Sequence, residues 1–208
     1  QANAQIDKNN EQSWDSALVG GSRHPLPFVD KVIYRIIKDE ATYLTALRTG
    51  QLDILEAIRW IAVDHLKETT PELQRNRWLA TSGQFIALRV DQKPFDDLRV
   101  RRALNLAVNQ QEIVKHFYGG HAELMAYPQH PEFGAYFEPL EDMPESVQQL
   151  FSYDPEEARR LLKEAGVPEG FAFEMQVCSC SPSHMDLVPL LESYFSKVGL
   201  KANIRPLE

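Results

Sequence analysis

Apolar residues recur along this chain in two periods. Phe85-Ile86-Ala87-Leu88-Arg89-Val90 alternates as a strand does, and Val100, Ala103, Leu104 and Ala107 fall at i, i+3, i+4 and i+7, one face of a helix. Between them lies Lys93-Pro94-Phe95-Asp96-Asp97-Leu98. Pro94 has no N–H and holds the residue before it extended, which closes the strand side. Asp96 or Asp97 caps the helix, because a short carboxylate accepts from free first-turn N–H groups. The stretch reads as a strand-to-helix corner, followed by a second helix that starts at Asn109.

The same two periods order the rest of the chain. Residues 31–38 are rich in β-branched side chains and read as a strand. Asp39 opens a helix with Tyr43, Leu44 and Leu47 on one side, Gly50 ends it, and residues 52–55 form a further strand, a βαβ pattern. Residues 62–66 read as a helix and 77–81 as a strand; Ser82-Gly83 interrupts before residues 84–90 resume. Further on, Asp154 caps a helix over 155–165. Pro155 takes its first position, Glu157 completes a capping box, and Gly166 follows its end. Residues 171–177 alternate as a strand, 187–198 read as a helix and 200–204 as a strand. The fold class is α/β. Residues 119–145, proline-rich and without periodicity, read as a long loop, and long ordered loops are often functional.

Composition narrows the function. The chain has 208 residues, of which 43% are hydrophobic, enough for one large domain or two small ones. Its net charge of −8 speaks against sequence-independent nucleic-acid binding, which needs clustered Lys and Arg. No run approaches the roughly 18–20 apolar residues of a membrane span. The opening residues show no basic start followed by an apolar run, so they do not read as a signal peptide. Cys178 and Cys180, the two cysteines, stand too close in sequence for an unstrained bridge and are expected to be unbonded neighbours on the same face of a strand or at its edge.

Candidate chemistry is sparse. Adjacent Asp96 and Asp97 rarely aim at one atom, so they read as capping residues. Of Arg99, Arg101 and Arg102, one is expected to pair with a carboxylate and the others to be solvated. His116, His121 and His130 match no ordinary ligand spacing, so no metal and no cofactor is expected. There is no Gly-x-Ser-x-Gly, Ser181-Pro182-Ser183-His184 has no evident partner acid, and Gly119-Gly120 reads as a turn rather than a phosphate cradle. The chain does not read as an enzyme. The aromatic residues Tyr118, Tyr127, Phe133, Tyr136 and Phe137 either line a pocket for a small polar ligand or pin the loop to the domain, and both readings stay open.

Three motifs in order carry a resemblance. They are Asp39 with Ala46-Leu47-Arg48-Thr49-Gly50-Gln51-Leu52-Asp53; Pro94-Phe95-Asp96-Asp97 with Val100-Arg101-Arg102-Ala103-Leu104; and Tyr153-Asp154-Pro155-Glu156 with Leu161-Leu162 and Ala165-Gly166. Together they resemble the family 5 extracellular solute-binding proteins, the peptide- and nickel-type receptors of ABC importers. Asn109 stands where the family usually has Asp, and Asn caps about as well. The resemblance implies a periplasmic-binding-protein-like fold of type II, present in part. Residues 1–82 would be the C-terminal part of lobe I and 83–208 the N-terminal part of lobe II, with further chain before Gln1 and after Glu208. It implies capture of a peptide or similar solute outside the cytoplasmic membrane, ABC permease subunits as partners, and a periplasmic or extracellular location, membrane-associated through the full-length protein. An interaction module that lost its pocket, or a hydrolase, are the alternatives. Ligand contacts are expected where the lobes meet, at Thr81, Ser82, Gly83, Gln84 and Phe85, with Tyr127 and Tyr136 from the loop. Small residues admit a ligand close to the backbone, and Thr81 and Gln84 offer hydrogen-bonding groups. Strands lacking their sheet neighbours are expected to expose apolar surface and to favour self-association.

Overall fold

The computed structural model describes residues 16–19, 22–26, 28–79, 84–124 and 131–207. Two compact units divide between Ala46 and Leu47. In the first, β1 (Ser16–Val19) and β2 (Ser22–Pro25) pair as an antiparallel hairpin, Ser16 opposite Pro25 and Val19 opposite Ser22. Chain without regular secondary structure then leads to α1 (Glu40–Arg48), whose end lies past the division. Asp39 caps α1, its Oδ1 accepting from the Thr42 N–H at 2.9 Å. Gly50, at φ 70°, ends the helix in the left-handed region that glycine adopts without strain.

The second unit continues with α2 (Trp60–Thr69), α3 (Leu98–Leu106) and α4 (Gln110–Glu112), which widens into a π-helical turn over Ile113–Phe117. Then come α5 (Glu145–Gln148), α6 (Pro155–Glu164), β3 (Phe171–Cys178), α7 (Pro182–Lys197) and β4 (Leu200–Leu207). β3 and β4 pair in parallel, Phe171 opposite Leu200 and Met175 opposite Ile204. A parallel pair needs a crossover connection, and α7 supplies it.

The core lies where α3, α6, α7 and the sheet meet. Val100, Ala103, Leu104 and Ala107 are all buried, as their helical spacing requires, and Met175, Phe195, Leu200 and Ala202 close over them. Two hydrogen bonds set α3 against α6. At one end the Asp154 N–H donates to the Leu106 carbonyl at 3.0 Å. At the other, Arg99 Nη1 donates to the Glu164 carbonyl at 2.8 Å, placing a cation on the negative end of α6. The start of each helix thus lies by the end of the other, so they run antiparallel. Ala103 and Ala158, both fully buried, keep the contact between them narrow.

Asp97 and Asn109 are helix caps as expected, accepting from the N–H groups of Arg99 at 2.8 Å and Glu112 at 3.0 Å. Asp154 likewise accepts from the Glu157 N–H at 2.9 Å. The reciprocal half of that capping box is not made. Glu157 turns to Arg160, at 2.6 and 2.7 Å, and the Asp154 N–H is spent on Leu106 instead.

Four expected strands do not form among the described residues. Residues 31–38, 52–55, 77–79 and 84–89 take no regular secondary structure, and none pairs in a ladder. Many of their apolar side chains stay in solvent, with Tyr34 at 91% and Ile36 at 93% exposure, while Leu88 packs against the core. A strand needs neighbours for its N–H and C=O groups, and no described residues take that place. The expected loop over 119–145 contains helical turns at Pro131–Tyr136 and Leu140–Asp142, besides α5.

The cysteines depart from expectation outright. Cys178 and Cys180 are joined in a disulfide. Both were expected on one face of a strand or at its edge, but β3 ends at Cys178 and the chain turns there. The turn brings the two Cα atoms to 5.1 Å, within bridging distance.

Candidate functional site

The corner that leads into α3 is held from three sides. Asp97 caps α3 and grips the Arg99 side chain through both carboxylate oxygens, at 2.6 to 3.2 Å. The Arg99 hydrogen bonds, side chain first and backbone second, hold the Asp97 carboxyl down at about 2. Arg101 reaches back so that its Nη1 donates to the carbonyls of Phe95 and Asp96, at 2.8 and 3.0 Å. Phe95 meets Phe173 edge-on at 5.7 Å, and Phe173 meets Phe195 at the same distance. So Arg99 is the paired arginine, Arg101 staples the corner, and Arg102 is exposed. Lys93–Pro94 is a cis peptide.

This corner fixes the chain just after the expected ligand contacts. Leu88 packs against the core, which anchors the segment that begins at Gln84. Gln84 and Phe85 lie upstream of that anchor and face solvent, Phe85 at 66% exposure. Tyr136 stands at the end of the Pro131–Tyr136 turn and is 76% exposed. None of these three is enclosed by described residues. Thr81, Ser82, Gly83 and Tyr127 lie outside the described residues. Gln84 offers amide donors and an acceptor, and Tyr136 a ring with a hydroxyl, which suits contact with a small polar molecule.

Two groupings were not foreseen from sequence. Trp60 packs on Gly119, whose missing Cβ would lie 2.9 Å from the indole ring, and it meets the His121 ring at 5.8 Å. Gly119-Gly120 is therefore more than a turn: any side chain at the first position would collide with Trp60. The second grouping is the buried Tyr194, whose hydroxyl donates to Glu112 Oε2 at 2.8 Å. Burial, and then the Glu112 carboxylate beside it, push the phenol's pKa up, so Tyr194 stays a neutral donor. This bond ties α4 to α7. Neither contact has a local sequence signal, because the partners lie 59 and 82 residues apart.

Among the described residues no cluster of three or more His, Cys, Asp or Glu side chains could hold a metal ion. His116 is exposed on the π-helical turn, His121 lies by Trp60, and His130 is outside the described residues. No helix among the described residues is long and apolar enough to cross a membrane.

The architecture is that of periplasmic binding proteins of type II, present in part. The chain superposes with a TM-score of 0.69 on an ABC transporter-associated periplasmic binding protein, DppA of Helicobacter pylori, solved with the peptide STSA. The match has 26% identity and covers 84% of this chain and 32% of that one. It also superposes at 0.70 on the oligopeptide-binding protein AppA of Bacillus subtilis, where 20% identity speaks to fold alone; the match covers 83% of this chain and 35% of the other. The family of bacterial extracellular solute-binding proteins, family 5, middle, matches residues 4–208, and the chain belongs to it. Relatives include Di/tripeptide-binding protein 1 of Pseudomonas aeruginosa, 33% identical over 180 residues, 85% of this chain and 32% of the relative. The glutathione-binding protein GsiB of Salmonella choleraesuis is 29% identical over 189 residues, 88% of this chain and 34% of the relative. The chain spans about a third of the length of these relatives.

Proposed function

We propose that the protein carrying this chain is the extracytoplasmic solute-binding component of an ABC importer, and that it captures a peptide or similar small solute. The observation that carries this reading is the family match over residues 4–208. The di/tripeptide-binding relative, at 33% identity, favours a short peptide as solute. Residues 1–82 belong to the first lobe and 83–208 to the second, and the lobes close about the solute. Binding shifts the open–closed equilibrium by the solute's differential affinity for the closed state. The permease subunits then receive the closed form. Thr81, Ser82, Gly83, Gln84, Phe85, Tyr127 and Tyr136 contact the solute.

The test is titration calorimetry of the full-length protein with di- and tripeptides, preceded by thermal shift, since a bound solute raises Tm by mass action. Gln84→Ala and Tyr136→Ala are each expected to weaken binding by about 1 kcal/mol or more if a partner group is left buried and unpaired. Lys163→Ala, on the exposed face of α6, is the control. Equal affinities for all three variants place the cleft elsewhere, and no peptide raising Tm removes the peptide reading.

A further inference from the structure

The Cys178–Cys180 disulfide has no part in the reading above. β3 ends at Cys178, Ser179 and Cys180 make the turn, and α7 starts at Pro182. The bond lies inside this one turn and joins no two elements. The turn is already fastened to β4, because the Ser179 N–H and hydroxyl both donate to the Leu207 carbonyl, at 2.8 and 3.0 Å. Cross-links stabilise a fold most when they close long loops, so holding the fold together is not what this bond offers.

What it offers is access and polarity. Cys180 is exposed and Cys178 half-buried. The Cys180 N–H donates to Cys178 Sγ at 3.3 Å, and a donor aimed at sulfur favours its thiolate. The positive end of the 16-residue α7 follows directly, and its N-cap, Ser181, makes no side-chain cap bond. The hydrogen bond favours negative charge at Cys178 over Cys180, and the helix start favours a thiolate anywhere in the turn.

We propose that Cys178–Cys180 is a thiol–disulfide exchange site that reacts with small thiols while the protein stays folded. A thiolate attacks the exposed Cys180 Sγ. The new sulfur–sulfur bond to Cys180 forms as the Sγ–Sγ bond breaks, and the electron pair leaves on Cys178 Sγ as thiolate. A second thiolate then attacks the outer sulfur of the mixed disulfide, releasing the small disulfide and the Cys180 thiolate. Two small thiols are oxidised, the protein disulfide gains two electrons, and the protein thiolates take protons from water according to pH.

The experiment exposes the oxidised protein to 2-mercaptoethanol, quenches with acid, alkylates with iodoacetamide and maps peptides by mass spectrometry. Both thiols are expected to appear at a rate within about tenfold of that in the urea-unfolded chain, with circular dichroism unchanged. A folded-state rate a hundredfold or more below the unfolded one overturns the proposal, because the bond would then open only on unfolding. The polarity is read from single variants: the thiol of Cys178 in Cys180→Ser is expected to alkylate with a lower pH midpoint than that of Cys180 in Cys178→Ser. Equal midpoints overturn the assignment of Cys178 as leaving group. The first arm needs no substitution, so it stands even if a variant folds poorly.

Discussion

Two apolar stretches of strand-like sequence meet different ends in this molecule. β3 alternates Phe171, Phe173, Met175 and Val177 toward the core with Ala172, Glu174 and Gln176 toward water. β4 pairs with it along its whole length and α7 packs against both strands, so Met175 is 7% exposed. Residues 31–37 carry five apolar side chains, four of them β-branched against one in β3, and Ile36 is 93% exposed. The contrast shows that strand character is a demand for neighbours as much as a local preference. β3 has a parallel partner reached by a crossover helix in the same stretch of chain. Residues 31–37 have no described partner, and their pattern buys no core.

The largest expected effect comes from breaking the covered side of this comparison. Phe195 is 1% exposed and closes the core beneath Phe173. Phe195→Ala is expected to cost about 3–5 kcal/mol in urea unfolding, because the cavity adds to the lost transfer energy. Ile36→Ala should stay within about 0.5 kcal/mol, as surface changes do. Comparable losses for the two would mean that residues 31–37 are covered in solution. A related expectation concerns the surface itself. Val32, Ile33, Tyr34 and Ile36 form an exposed apolar run, and such runs bind hydrophobic dyes. Replacing Val32, Ile33 and Ile36 by Ser should lower dye fluorescence clearly, while Phe195→Ala raises it. An unchanged signal in the triple variant would show the run to be sheltered.

The next effect is smaller and tests the cap of α6. Asp154→Ala removes the acceptor for the Glu157 N–H and should cost about 1 kcal/mol. Glu157→Ala should cost clearly less, since it loses only an exposed pair with Arg160. A capping box would make the two losses similar, so equal values would restore the reading that the structure replaces.

What was legible in the sequence follows from the range of the interactions concerned. The caps at Asp39, Asp97, Asn109 and Asp154 depend on side chains two or three residues from their N–H partners, and all four are observed. The face of α3 is legible for the same reason: its spacing fixes which residues share a side. Legibility fails where the partner is remote. The reciprocal half of the α6 capping box gave way to a bond from Asp154 to Leu106, and the approach of Trp60 to Gly119 has no local mark. α7 begins at Pro182, before the expected 187, and runs through Pro189, because the buried contacts of Leu187, Val188, Tyr194 and Phe195 outweigh the missing N–H. The disulfide departs from the expectation because spacing alone argued against so tight a ring, whereas the turn after Cys178 brings the two Cα atoms to 5.1 Å. Of the candidate site, Gln84, Phe85 and Tyr136 are seen to be accessible, while what brings residues together across a cleft is not a local property and left no pattern to read.

The smallest expected effect sharpens the comparison at the corner that the core depends on. Asp97 is held down at about 2 by Arg99, against an ordinary value of 3.8. A carboxyl with a depressed folded pKa adds stability that is present above its unfolded value and is lost as pH falls through the folded one. The window therefore runs from about pH 4 down to about pH 2. Asp97→Asn keeps a side chain that caps α3 but removes the charge that Arg99 grips. The variant should be less stable than the parent at pH 5, and the gap should shrink steadily as the pH is lowered to 2.5. Urea midpoints of both proteins across that range give the measurement, and taking the difference cancels the titration of the other acidic groups. Because the pair is solvent-exposed, the gap should also narrow in 0.5 M salt at pH 5. A gap independent of pH would show that Asp97 serves as a cap alone and that its grip on Arg99 contributes nothing to stability.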